Sequence, residues 1–463
     1  MKRILSVFML MVAVFAIAGC TRGYADCEAP DGTQACWNAT DEMFRWEEGA
    51  VIEIGVDSDT MAAALVEKWN ADYPELAGMV VARYYGAQNG EASGVSGVVA
   101  AQGEAPDVVL VIDNEVVGNE PSFLQLHEYF EDLVKENSMT AVTDIINSKG
   151  TIYNTAFYDG MAFSWNETMF DALGLDKTDD NGDNLPDAYD TWEEIFEMDI
   201  ASLGTYKGSE ITEVFPISLD EVWSGYSSVS AEGWVLFGDG SDLTKPGFDS
   251  EEFLKGLEFI KSFSEAGINV DETGVKKAAS SMGWRWDAYL ADEAYPFALV
   301  GTWMDVATNE ADNNADFRFA PMPTWKGEPL SPLMKTKGFV VNGYTEYPSA
   351  ASEVLRWLYT TDTMTTMIEN SSYLPALQEG GSAYPVVEDV NKAEFGLAFV
   401  NNQMEIAGTL PGNPNQRAMN VYYSISLQDY YKAVWDGEMT PAEAQEAVVS
   451  AADAWIAENN TTE

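Results

Sequence analysis

The chain has 463 residues, with 76 Asp and Glu, 24 Lys and Arg and a single His, and its formal net charge is −52. A surface this acidic repels phosphate backbones and anionic lipid headgroups, which argues against nucleic-acid binding. The hydrophobic share of 46% is ample for buried cores, and the length predicts two or three domains. The acidity fits either a protein adapted to high salt or an ordinary acidic secreted protein.

The first 20 residues have the layout of a secretory signal. Lys2 and Arg3 form a positive start, residues 4–18 are apolar, and Ala18 and Gly19 are small. The apolar stretch is shorter than the roughly 20 residues that a membrane-spanning helix needs. Cys20 after Ala-Gly resembles a bacterial lipoprotein box. This implies cleavage before Cys20, lipid attachment to its sulfur and tethering to the outer face of a membrane. An ordinary signal followed by a chance Cys is the alternative.

Two further cysteines, Cys27 and Cys36, remain as an even pair in an oxidising compartment. We expect a small disulfide loop between them, with two free thiols as the alternative. Both lie in the polar segment 20–50, which is expected to be a linker between the anchor and the folded body.

From Val51 onward, strand-like runs alternate with helical spacing. The runs 51–56, 80–85 and 107–113 are apolar and rich in β-branched residues, and the segments 60–76 and 95–106 have apolar residues at helical intervals. This β-α-β-α-β order with short connections predicts a doubly wound α/β layer with a largely parallel sheet. Ligands bind beyond the carboxyl ends of the strands in such sheets, and Asp113 lies at that end of the third run.

The rest of the chain alternates helical and strand patterns without a clear internal repeat. The final stretch, 424–459, predicts two amphipathic helices, and the second begins at Thr440-Pro441.

Taken in order, several stretches resemble the extracellular solute-binding proteins of ABC importers, specifically the maltose and maltodextrin-binding branch. Each stretch alone is a weak signal. Their shared order and the lipoprotein-like start carry the resemblance, which runs from about Val51 to Trp455. The stretches are VIEIGV, GEAPDVVLVID, FYDGMAFSWNETMFDALGL with DTWEEIFEM, YPFALVGTW, FRFAPMPTWKGEPLSP, KGFVVNGYTEYPSAASEVLRWLYTTD and LPGNPNQ.

The resemblance implies an α/β, two-lobed periplasmic-binding-protein fold of type II, with discontinuous lobes joined by a hinge and the ligand in the cleft between them. After a signal peptide (1–19) and the linker (20–50), one lobe would comprise 51–158 with 337–383. The other would comprise 159–335 with 384–463. The implied protein is a monomer without chemistry of its own, which binds a neutral oligosaccharide, closes by hinge bending and delivers it to an ABC permease.

Six positions match the family's sugar-binding pattern. A carboxylate accepts hydrogen bonds from neighbouring sugar hydroxyls, and an aromatic face covers the apolar C–H side of the ring. For each position the alternative is a solvated surface carboxylate or a core aromatic. The matching residues are Asp113, Asp159 ahead of Trp165-Asn166, Glu221 and Trp223 in SLDEVWSGY, Trp303 in GTW, and Tyr422, within one residue of a further aromatic position.

The chain also departs from the family pattern. Leu110, Val111 and Ile112 stand where the family has an aromatic before the strand-end Asp. Asn114 replaces the usual Arg, and residues 57–59 lack the usual Lys. The scarcity of cations leaves the sugar open and disfavours anionic solutes, unless Arg285 or Arg417 supplies a well-placed charge.

The segment 179–190, DDNGDNLPDAYD, resembles an EF-type calcium loop. Asn184 stands at the usual Gly position, where Asn tolerates a left-handed turn. No cofactor is required for binding, but a structural calcium outside the cleft is expected here. The candidate ligands are Asp179, Asn181, Asp183, the carbonyl of Leu185, Asp187 and Asp190.

Three classes of function remain open. The leading one is a binding protein that delivers oligosaccharide to a permease. An adhesion or sensory surface lipoprotein could use the same fold. A glycoside hydrolase would need a pair of carboxylates, and the chain has too many Asp and Glu to exclude one by counting.

Overall fold

The structure is a computed structural model. It describes residues 35–38, 40–86, 94–116, 118–137, 146–147, 150–231, 234, 236–237, 245–328, 330, 332–371, 373–386 and 421–459. The expected signal peptide, Cys20, Cys27 and Arg417 therefore lie outside the described residues.

The described elements alternate between strands and helices. The strands are β1 (Trp37–Asn38), β2 (Met43–Phe44), β3 (Ile52–Val56), β4 (Val80–Tyr84), β5 (Val108–Ile112), β6 (Asn154–Asn166), β7 (Thr205–Tyr206), β8 (Ser209–Glu210), β9 (Phe297–Gly301), β10 (Phe317–Ala320), β11 (Met334–Val341) and β12 (Leu374–Pro375). The α-helices are α1 (Asp59–Asp72), α2 (Gly94–Ala101), α3 (Asp113–Val116), α4 (Tyr129–Asn137), α5 (Glu167–Leu173), α6 (Trp192–Phe196), α7 (Ile200–Leu203), α8 (Val222–Gly225), α9 (Glu251–Glu265), α10 (Trp286–Leu290), α11 (Val306–Asn313), α12 (Pro348–Leu358), α13 (Thr361–Glu369), α14 (Leu427–Asp436) and α15 (Pro441–Asn459).

The predicted β-α-β-α-β unit is confirmed as β3-α1-β4-α2-β5. Strand β3 pairs in parallel with both β4 and β5. The side chain of Ser58 caps α1 by accepting from the N–H of Met61. The expected α/β fold is therefore present, with the carboxyl ends of β3 and β5 at one edge of the sheet. The predicted parallel pairing holds for β3, β4 and β5, whereas the other described pairings of the large sheet are antiparallel, so the sheet is mixed rather than largely parallel.

Strand β6 joins the two halves of the large sheet. Over residues 154–160 it pairs antiparallel with β11, and over 161–166 it pairs with β9 and β10. Strand β11 in turn pairs antiparallel with β5. One 13-residue strand thus crosses from the parallel β3-β4-β5 sheet to the antiparallel β9-β10 region.

Two large hydrophobic clusters lie on either side of this crossing. The first core cluster draws its members from residues 35–157 and 339–383. The second core cluster draws its members from residues 161–333 and 421–452. Each is therefore assembled from chain segments far apart in sequence, as expected for a fold of discontinuous lobes.

Residues 35–38 and 40–50, here called the N-terminal clasp, pack on the first core cluster. The ring of Phe44 is fully buried and stacks on Phe130, with ring centroids 5.4 Å apart. Trp37 stacks on Tyr129 at 4.5 Å. The described part of the segment expected as a linker is thus a folded part of the body. Cys36 is disulfide-bonded, and its pairing with Cys27 stays a prediction.

Hydrogen bonds fasten the clasp to α12. Both carboxylate oxygens of Glu47 accept from the first N–H groups of this helix, those of Ser349 (2.8 Å) and Ala350 (2.7 Å). The N–H of Phe44 donates to Oε2 of the fully buried Glu353 at 2.8 Å. Glu353 is also paired with Arg356. The clasp therefore caps a helix and satisfies a buried carboxylate, which an unattached linker does not do.

The C-terminal helices match their prediction. Helix α15 begins at Pro441, as the Thr-Pro pattern indicates, and the Thr440 hydroxyl accepts from the N–H of Glu443. Within the described part of the chain, the helices are too short or too polar to cross a bilayer.

Candidate functional site

The carboxylate that ends β5 is buried and bonded to strand β11, which pairs with both β5 and β6. Asp113 is 2% exposed, and its Oδ2 accepts from the N–H (2.8 Å) and the hydroxyl (2.9 Å) of Thr336. The hydroxyls of Tyr153 and Thr336 lie 3.1 Å apart. Asp113 therefore lies at the predicted place, but it anchors Thr336 within the protein.

The carboxylate that follows β3, Asp57, is bonded to Lys337, the residue after Thr336 in β11. Asp57 Oδ2 accepts from the ammonium of Lys337 at 2.8 Å and from the hydroxyl of Tyr373 at 2.5 Å. Lys337 also contacts the Tyr373 hydroxyl and lies 4.8 Å from the centre of that ring. Residues 57–59 contain no Lys, and the cation beside Asp57 comes from Lys337 of β11.

Glu221 is the N-cap of the short helix α8. Its carboxylate accepts from the N–H groups of Trp223 and Ser224, each at 2.6 Å, and from the Ser224 hydroxyl. Trp223 is half-buried and packs against the second core cluster. The carboxylate is thus largely committed to its own helix.

The loop after β9 presents an aromatic face. Trp303 is 37% exposed. Its ring lies against Gly301, where an added Cβ would approach within 2.6 Å of a ring carbon. Trp284 supports it edge-on, with centroids 5.9 Å apart. Any side chain at position 301 would displace the indole, so Gly301 fixes its position.

Tyr422 and Tyr423 differ sharply in exposure. Tyr422 is fully buried, and its hydroxyl donates to the carbonyl of Val222 at 2.7 Å. Tyr423 is 42% exposed, yet the surrounding protein desolvates its hydroxyl and raises its pKa, with further contributions from the negative charges of Glu221 and Asp113. Tyr423 therefore remains a neutral phenol at neutral pH. Family comparison points to Tyr422, but the exposed ring is one residue further on.

The charges of Glu221 and Asp113 both act on Tyr423, whereas Tyr422 is a core residue. Asp159 lies in β6 opposite Lys335, and its side chain lies outside what the structure describes. Sequence reasoning missed Tyr423, Asp57 and Lys337. The aromatic pair at 422–423 and the strand-end position of Asp57 were the available signals.

The acidic loop 179–190 is closed by hydrogen bonds to its own backbone. Asp179 accepts from the N–H groups of Gly182 (2.7 Å) and Asn184 (3.0 Å), and Asp183 accepts from the N–H of Leu185. Asn184 has the left-handed φ of 72° that its position requires.

Asp190, at the end of this loop, accepts from the amide of Asn181 at 3.1 Å. Desolvation raises the pKa of Asp190 to about 6, and neighbouring carboxylates, Asp183 and Asp187 first among them, add to the shift. Among the described residues, no group of three or more His, Cys, Asp and Glu side chains is arranged to hold a metal ion. The donor set suits Ca²⁺ chemically, but the carboxylates do not converge on one point.

Comparison with known proteins agrees with this architecture. The model of a family described as bacterial extracellular solute-binding proteins matches residues 64–391, which is more than half of the chain. A search among curated proteins finds no significant match. The matched region spans β4 to β12, the crossing strands and most of the residues placed above. The chain therefore belongs to the bacterial extracellular solute-binding proteins.

Proposed function

We propose that the protein is the substrate-binding component of an ABC sugar importer and that it binds a neutral, maltodextrin-like oligosaccharide. The main support is the exposure of two aromatic rings, Trp303 after β9 and Tyr423, of which Tyr423 is influenced by the charges of Glu221 and Asp113. Exposed aromatic rings that line a site together with polar groups are typical of ligand binding, whereas a single exposed ring elsewhere on a surface is not informative. Indole and phenol faces suit the apolar side of a sugar ring.

The bonding of the carboxylates refines this proposal. Asp113 and Glu221 are already engaged within the protein, so aromatic stacking supplies most of the affinity and the phenol of Tyr423 donates to ligand oxygens. The Lys337–Asp57 pair is neutral overall. An uncharged ligand therefore suits the site better than an anion does.

We propose the lobe boundaries expected from the sequence, with 51–158 and 337–383 in one lobe and 159–335 with 384–463 in the other. The membership of the two core clusters supports this division. The clasp joins the first lobe. Ligand contacts from both lobes would favour the closed form, and the protein would deliver the ligand to its permease while tethered to the membrane through a lipid on Cys20.

One experiment separates this function from its alternatives. Purified protein is titrated with maltotriose while tryptophan fluorescence and reducing ends are followed together. We expect a saturable fluorescence change without sugar cleavage. Cleavage would establish a glycoside hydrolase. A panel of ionic metabolites and other glycans, screened by thermal shift, would identify another solute if maltotriose gives no change.

We also propose that loop 179–190 binds a structural Ca²⁺, for which Asp179 and Asp183 would have to turn from the backbone N–H groups they now accept from toward the ion. The raised pKa of Asp190 means that its carboxylate charge destabilises the folded state above about pH 6, so stability should increase as pH falls through 6 toward the unfolded pKa near 4. Without calcium, Asp190→Asn should therefore stabilise the protein by about 1 kcal/mol at pH 7. With millimolar Ca²⁺, the wild type should gain about 1–3 kcal/mol and Asp190→Asn should gain none.

The measurement is thermal unfolding with calcium or with chelator. Asp132→Asn is the control, since this side chain is 93% exposed and its loss changes the net charge equally. An equal calcium response in wild type and Asp190→Asn would rule out the loop as the site.

A further inference from the structure

The partners of the crossing strand β6 change along one of its edges. Leu374 and Pro375 of β12 lie opposite Tyr158 and Phe157. Further along β6, the pairing with β9 begins at Met161, which lies opposite Gly301, the last residue of β9. Between these two pairings, Thr302 of the loop after β9 bonds to the backbone of Tyr158 and Gly160 on this edge.

Thr302 makes three hydrogen bonds to this short stretch. Its N–H donates to the carbonyl of Gly160 at 2.9 Å. Its hydroxyl accepts from the N–H of Gly160 at 3.3 Å and donates to the carbonyl of Tyr158 at 3.1 Å. The residue is fully buried. A side-chain hydroxyl therefore takes the place of a strand partner at the point where β6 passes from the first core cluster to the second.

The neighbouring residue carries the exposed indole. Trp303 follows Thr302 directly, and its ring is packed on Gly301. The tripeptide Gly301-Thr302-Trp303 thus has a partly exposed aromatic ring at one end and, beside it, a hydroxyl bonded to strand β6. Thr supplies both a hydroxyl and a compact β-branched side chain at this buried position. Ser would supply only the hydroxyl.

We propose that Thr302 is a positioning residue that couples ligand stacking on Trp303 to bending of β6 at residues 158–160. This inference rests on the proposed function, because it assumes that ligand closes the two lobes. The Thr302 hydroxyl can follow a rotation of β6 by turning about one side-chain torsion, χ1. A continuous ladder of backbone hydrogen bonds on this edge would resist that rotation. Ligand that draws Trp303 inward moves Thr302, and its two hydroxyl bonds move Tyr158 and Gly160 with it.

The test compares Thr302→Val, which removes the hydroxyl at nearly constant shape, with Thr302→Ser, which keeps it. Thr363→Val is the matched control, since Thr363 is equally buried but lies in α13, away from the crossing. Spin labels at Val99→Cys and Val275→Cys, both exposed, report the distance between the lobes. Hydrogen exchange reports the amide of Gly160 in the ligand-free protein.

We expect Thr302→Val to speed exchange at Gly160 by about tenfold, as for the loss of one buried hydrogen bond, and to change the ligand-free distance distribution. Thr302→Ser should restore both, and Thr363→Val should lose stability without either change. With maltotriose, the wild type should shorten the distance and Thr302→Val should shorten it less at saturation. If Thr302→Val does not fold, Thr302→Ala replaces it.

The outcomes separate the two proposals. Ligand-free exchange and distances in Thr302→Val that match the wild type would overturn the role of Thr302, whatever the ligand does. A failure of Thr302→Ser to restore them would overturn it as well. If maltotriose leaves the wild-type distance unchanged while the ligand-free effects appear, the choice of sugar is wrong and the positioning role stands.

Discussion

Replacing Phe44 by alanine is expected to lower the free energy of unfolding by about 3–5 kcal/mol. The ring is fully buried, stacks on Phe130, and lies beside Trp37, Tyr129 and His127. Its removal would leave a cavity among rings that cannot collapse to fill it. Urea unfolding followed by circular dichroism measures the loss.

Two further variants make this result specific. Phe44→Leu keeps most of the volume and should cost less than about 1.5 kcal/mol. Tyr344→Ala removes an exposed ring and should change stability by less than about 0.5 kcal/mol. If Phe44→Ala unfolded like the wild type, residues 35–50 would be a detached linker after all.

Replacing Trp303 by alanine is expected to weaken maltotriose binding by roughly 30-fold or more, since a stacked tryptophan at the centre of a site contributes at least about 2 kcal/mol. The melting temperature should change little, because the ring is partly exposed and lies at the protein surface. Calorimetric titration gives the dissociation constant.

Asp113→Asn provides the contrast. Its carboxylate is bonded to Thr336, so this variant should lose stability more than affinity. Trp303→Phe keeps an aromatic face and should lie between wild type and alanine. Equal affinity in wild type and Trp303→Ala would remove this ring from the binding site and, with it, the main support for stacking.

Local sequence patterns were sufficient to predict the parallel unit β3-α1-β4-α2-β5. Its strands are continuous apolar runs, and its helices carry apolar residues at regular intervals, so each element is specified by its own residues. The same holds for α15, where Pro441 marks the first turn.

The clasp could not be predicted in this way. Its apolar residues, Trp37, Phe44 and Trp46, are isolated among polar ones, and the partners that bury them are distant in sequence. Phe44 and Glu353 are 309 residues apart. Three large aromatic residues within ten positions are more than a solvated linker needs, and this density was the available signal.

The site shows the same limit. Asp113 was predicted at the carboxyl end of its strand, because topology alone puts it there, whereas Asp57 was not singled out. Their hydrogen-bond partners, Thr336 and Lys337, come from a strand more than 200 residues later, so no local pattern reveals that Asp57 and Asp113 are already engaged. The exposure of Tyr423 rather than Tyr422 depends on a single residue of register in the segment leading to α14.

The consecutive anchors on β11 have a mechanical consequence. Neighbouring side chains of a strand point to opposite faces. The bonds of Thr336 to Asp113 and of Lys337 to Asp57 therefore hold β11 from both faces at the same position along the strand. In the proposed hinge motion, we expect these bonds to keep β11 attached to the sheet on both of its faces. Bending would then be concentrated in the few peptide units before Thr336, which would restrict the direction in which the lobes open.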